Sequence, residues 1–165
     1  MRGIPLLDMR SNLAEAQRQD GLLGRYSSAV VAERKLFAKR DDSLRWLADL
    51  ARKHSVQLGD QPADLQAVED LYFELFSEDA GWLRRRDRST FEYAMAVFWG
   101  AVAVAHGATW EVYESAFAPG HFGLAVSRGL LTVVLDARCS GWDQRPNNKR
   151  HELLRREYDK TFGRP

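Results

Sequence analysis

Between Ser43 and Gly107 apolar residues recur with a helical period. Leu44, Leu47, Leu50, Ala51 and His54 fall on one face, and Ser43 stands where an N-cap is wanted, with Asp41 and Asp42 at the positive helix end. The preceding stretch from Ser27 to Arg40 is ambiguous around Ala29-Val30-Val31-Ala32, and the helix formers from Glu33 onward tip it toward helix. A further helix is predicted from about Pro62, a residue favoured in a first turn, with Leu65, Val68, Leu71, Tyr72, Leu75 and Phe76 as its stripe and Gly81 beyond its end. Ser89-Thr90-Phe91-Glu92 reads as a capping box opening a third helix that runs to about His106, with Gly107 at the left-handed position after it. Residues 94–105 of that helix are apolar on nearly every side, which marks it as the buried centre of the core.

Past Gly107 the period shortens. Thr109 to Glu114 alternates as a half-buried strand should, Phe117 to His121 is a Pro-Gly loop, and Phe122–Ser127 and Leu130–Asp136 read as two more strands joined by a tight turn at Arg128-Gly129. Cys139 to Asn148 reads as loop, and Lys149 to Thr161 as a charged closing helix with Leu153, Leu154 and Tyr158 inward. Helices followed by a small antiparallel meander and a last helix define an α+β domain, its sheet covered by the apolar third helix.

Length and composition change this picture little. The 165 residues, 45% hydrophobic and 28% charged, suit one domain over 1–165, with its core in 41–165 and an N-terminal segment, 1–40, whose packing the pattern leaves open. Cys139 is the single cysteine, so no internal disulfide forms, as in a reducing compartment. The longest uncharged apolar run, Tyr93 to Ala105, has 13 residues, short of the roughly 20 that cross a bilayer. The first eight residues hold too short an apolar stretch for a secretory leader. The expected compartment is therefore the cytoplasm, with no membrane partner. Nineteen Arg against five Lys, with 20 Ala and one Ile, suggest a GC-rich bacterial gene.

Charge is unevenly spread. Residues 61–83 carry Asp64, Glu69, Asp70, Glu74, Glu78 and Asp79 and no cation, whereas residues 138–165 carry eight cations against four anions. The acidic helix, with Trp82 near its end, is the expected contact surface for another protein, since acidic faces steer and complement basic partners. The basic stretch offers Lys149, Arg150, Arg155 and Arg156 at a helix start that Asn147 or Asn148 caps, an arrangement suited to phosphate or nucleic acid, with Trp142 to stack on a base.

Motifs for the familiar enzyme classes are absent: no Gly-rich phosphate loop, no HExxH, no GxSxG and no paired cysteines. No cofactor or metal is therefore expected. The catalytic alternative rests on His106, Glu111, Glu114, His121 and Asp136 around the meander, with His121 as general base and Asp136 as its orienting carboxylate. Cys139 with His151 is a weaker nucleophile–base pairing, since a lone cysteine more often packs as a small apolar residue. Among the tryptophans, Trp99 and Trp110 read as packing residues, and Trp82 and Trp142, in loops, as interface anchors.

Two stretches carry a resemblance. Leu58-Gly59-Asp60-Gln61-Pro62 leading into Ala63–Glu69, and Phe98-Trp99-Gly100 followed by His106-Gly107-Ala108-Thr109-Trp110 and a meander, resemble uncharacterised actinobacterial small α+β domains, some of them immunity-protein-like. The resemblance spans roughly residues 58–136 and brings no catalytic residues with it. It implies the fold, and it agrees with a non-enzymatic protein-binding domain that neutralises a toxin or regulates a partner. An enzyme or small-ligand domain with a pocket at the sheet, and a nucleic-acid or phosphate binder acting through the last helix, are the alternatives.

Overall fold

The computed structural model describes residues 23–76, 85–145 and 152–163. Along the chain run β1 (Gly24–Arg25), α1 (Ala29–Lys53), α2 (Asp64–Leu75), α3 (Arg85–Ala105), β2 (Thr109–Glu114), β3 (His121–Arg128), β4 (Leu131–Val134), a 3-10 turn at Trp142–Gln144 and α4 (Leu153–Phe162). The α+β expectation is met. The stretch Leu13–Arg18, whose sequence could form a short helix, lies outside the described residues.

Ser43 does not start a helix. The chain is helical without a break from Ala29 to Lys53, and Ser28 is the N-cap, its Oγ accepting the Val31 N–H at 3.2 Å. No Gly or Pro interrupts Ala29–Lys53, so nothing stops the first turns from propagating through Asp41-Asp42-Ser43. The two aspartates stay exposed and pair with Arg40 and Arg45. The capping box at Ser89 is likewise overtaken, because α3 already begins at Arg85. Its Glu92 is buried instead, where Oε2 accepts the backbone N–H of Trp142 at 3.3 Å.

The sheet is antiparallel throughout, and β3 is its centre. One edge of β3 is taken by β2 over Phe122–Ser127. The other edge is shared end to end: β4 pairs Ala125–Arg128 and β1 pairs His121–Phe122. Between them Asp136 fills the ladder, its Oδ1 accepting the Leu124 N–H at 2.7 Å while the Leu135 N–H donates to the Leu124 carbonyl at 2.8 Å. A Cβ at Gly123 would stand 2.6 Å from Leu23 Cδ2 and 2.9 Å from Asp136 Oδ1, so a side chain here would have to displace Leu23 and the bridging carboxylate. The turn from β3 into β4 falls one residue later than expected: Arg128 still pairs with Leu131, and Gly129, at φ +62°, turns the chain together with Leu130.

α3 is the hub. It packs against α1, α2, α4 and the strands β2 and β3, and Phe91, Met95, Trp99 and Val102 on it are fully buried. Gly100 lets the sheet come close: a Cβ there would lie 2.6 Å from Leu135 Cδ1. Leu124, Val126 and Val133 join the same core from the sheet. No helix among the described residues is long and apolar enough to cross a membrane.

Candidate functional site

The acidic stripe on α2 divides. Asp70 and Glu74 are exposed, and Asp64 folds back so that its carboxylate accepts the Gln61 N–H at 2.9 Å. Glu69 is removed from the expected contact surface, since its exposure is 0%. Its Oε2 accepts the Trp142 indole N–H at 2.7 Å and the Leu154 N–H at 3.2 Å, and its Oε1 accepts the Glu152 N–H at 2.7 Å. The side chain at the N-cap of α4, Glu152, makes no capping bond. A carboxylate from α2 therefore supplies the acceptor that the α4 N-terminus needs. Burial raises the Glu69 pKa against the lowering effect of these donors. Trp82 lies outside the described residues.

Trp142 is not an interface residue either. It is fully buried, with its backbone N–H on Glu92 and its indole on Glu69, so it cannot stack on a base. The basic stretch is only partly described: Asn147, Asn148, Lys149, Arg150 and His151 lie outside the described residues. Arg155 pairs with Asp159 at 3.3 Å along α4, and Arg156 is exposed.

His121 and Asp136 lie at the same edge of β3, but no hydrogen bond or ion pair joins them. Asp136 is mostly buried, and burial raises its carboxyl pKa, opposed by the Leu124 N–H and by Lys39. His121 Nδ1 is buried and has no partner among the described residues. His106 leaves the meander set, its Nε2 lying 3.1 Å from the Asp60 carbonyl. Cys139 is buried in the core, which pushes its thiol up to about 12 and leaves no thiolate for nucleophilic chemistry at neutral pH. No cluster of His, Cys, Asp or Glu suited to a metal occurs among the described residues.

Glu111 and Glu114 instead take part in a groove between α1 and β2. It has a volume of about 440 Å³, with Glu33 and Phe37 from α1, Trp110, Glu111 and Glu114 from β2, and Phe122 from β3 on its walls. All three carboxylates are exposed. Glu111 Oε1 accepts the Ser127 hydroxyl at 2.6 Å, and Glu114 Oε1 accepts the Gly120 N–H at 3.2 Å. The Arg40 guanidinium lies 4.4 Å over Phe37 and 5.1 Å from the Trp110 ring, its charge paired with Asp41 at 2.9 Å. β2 pairs with β3 on one side, and no strand among the described residues pairs with its other edge. Sequence reasoning placed Glu111 and Glu114 on a strand but missed Glu33, because its helix face is assigned only once α1 is seen to start at Ala29.

Comparison with known proteins gives one family: the model for "Uncharacterised protein YwmA" matches residues 25–162. No curated protein and no solved structure matches.

Proposed function

The chain belongs to the YwmA family, and we propose that it is a non-enzymatic protein-binding domain whose partner adds a Lys/Arg-rich extended segment to the outer edge of β2. The observation that carries this reading is the coincidence of a strand edge that has no strand partner among the described residues with a groove walled by three carboxylates and three aromatic side chains. An added strand would satisfy the outward N–H and C=O groups of β2 with its own backbone. Its side chains would point alternately to the two faces of the sheet, so every second residue enters the groove. There the side chains of Lys or Arg reach Glu33 and Glu114, and the residues between them, on the opposite face of the sheet, meet Glu111.

This moves the contact surface from the acidic helix to the groove. α2 presents Asp70 and Glu74 outward but has turned Glu69 inward, while the groove combines charge with a strand edge that no strand among the described residues pairs with. Unpaired edges invite pairing with other chains, and acidic side chains restrict which chains pair. A domain that holds a basic segment this way suits the neutralisation or regulation of a basic protein.

The test is a calorimetric titration of the full chain with a ten-residue peptide alternating Arg and Val. The wild type is expected to bind with an affinity that falls as salt rises. Glu33→Lys combined with Glu111→Lys changes exposed positions, leaves the fold intact by circular dichroism, and is expected to weaken binding at least about tenfold. Equal affinity of the two proteins would show that the groove is not the contact.

A further inference from the structure

At the opposite edge of the sheet a second cleft lies between β4 and α4. It encloses about 470 Å³, with Leu131 and Val134 as an apolar wall and Arg138, Arg145, Glu157 and Lys160 around it. That volume is in the range of small-molecule sites, roughly 300–1,000 Å³.

Its two arginines are fixed in place. The Arg138 guanidinium lies 3.9 Å over the Trp99 ring, and that of Arg145 4.7 Å over the Trp142 ring; both rings are fully buried. Glu157 bridges them, receiving Arg145 Nη1 at 3.2 Å and Arg138 Nη2 at 3.5 Å. Arg145 Nη2 donates to the Arg138 carbonyl. Lys160 follows Glu157 by one turn of α4 and has no partner among the described residues. Three cations thus face one carboxylate, and most of the guanidinium N–H groups have no acceptor among the described residues.

Arg138 Nε is buried and has no acceptor among the described residues. A buried unsatisfied donor on a cation is costly, and a bound anion is one of the few things that explain its retention. Stacking on buried indoles holds the guanidinium planes rigid, which lowers the entropy lost when they grip an oxyanion. We propose that this cleft binds a small phosphorylated ligand, with the phosphate between Arg138, Arg145 and Lys160 and the organic part against Leu131 and Val134. Glu157 holds the two arginines in register and limits the affinity by its own charge.

The site is independent of the groove at β2. It is tested by titrating the full chain with inorganic phosphate and with adenosine monophosphate, following binding by calorimetry. Saturable binding is expected, tighter for the nucleotide than for phosphate because of the apolar wall. Lys160→Glu, at an exposed position that does not disturb folding, is expected to weaken both about tenfold or more. Glu157→Gln, which keeps an acceptor for the arginines and removes the repelling charge, is expected to tighten both. Binding of phosphate but not of the nucleotide would confine the proposal to a free phosphate. Absence of saturable binding of either, or unchanged affinity in Lys160→Glu, would overturn it.

Discussion

Glu69 shows how far a residue's role departs from its neighbours in sequence. It stands beside Asp70 in an acidic stripe, yet Asp70 faces solvent and Glu69 ties α2 to Trp142 and to the start of α4. Glu69→Ala would strand the Trp142 indole N–H and two backbone N–H groups, at a cost of about 3 kcal/mol or more. Glu69→Gln retains one acceptor and should cost roughly half as much, whereas Asp70→Ala should stay within about 0.5 kcal/mol. Urea unfolding of the three variants checks the order. An Asp70 effect as large as that of Glu69 would contradict the assignment. None of this was legible in the sequence, because the donors that turn Glu69 inward come from residues 142, 152 and 154, remote along the chain.

At the scale of elements, local signals were readable where they act alone and misleading where a neighbour overrides them. The strand at Thr109–Glu114 appears in the structure as the pattern predicts and the tight turn at Gly129 within one residue of its expected place, since each depends on a few adjacent residues. Ser43 and Ser89 look like caps but lie inside longer helices, because propagating a helix already nucleated costs less than stopping it. The two serines of α1 therefore separate cleanly in experiment. Ser28→Ala removes the acceptor for Val31 N–H and should destabilise by about 1 kcal/mol, while Ser43→Ala, mid-helix, should be neutral or stabilise by a few tenths. Thermal unfolding gives the comparison, and a larger loss at Ser43 would contradict the single-helix description. β1 escaped notice because a two-residue strand has no period to read.

On the scale of the whole molecule, β3 organises both candidate sites. Its two edges differ: β2 covers one along its length, and β4 with β1 share the other, with Asp136 bridging the gap. The acidic groove, with Glu33, Glu111 and Glu114, lies beyond the first edge and the basic cleft beyond the second, and no described residue of the acidic stretch 61–83 lines either. The sequence showed its uneven charge and the α+β class. It did not show the sites, because each is assembled from elements far apart in the chain: the groove from α1 and β2, the cleft from β4 and α4.

The central claim is that the outer edge of β2 receives a basic extended segment. Amide hydrogen exchange of the full chain, with and without the alternating Arg-Val peptide, reads that edge directly. Binding there should slow exchange at alternate amides of β2, those facing away from β3, and leave α2 unchanged. Protection confined to α2, or none in β2 at saturating peptide, would contradict the account.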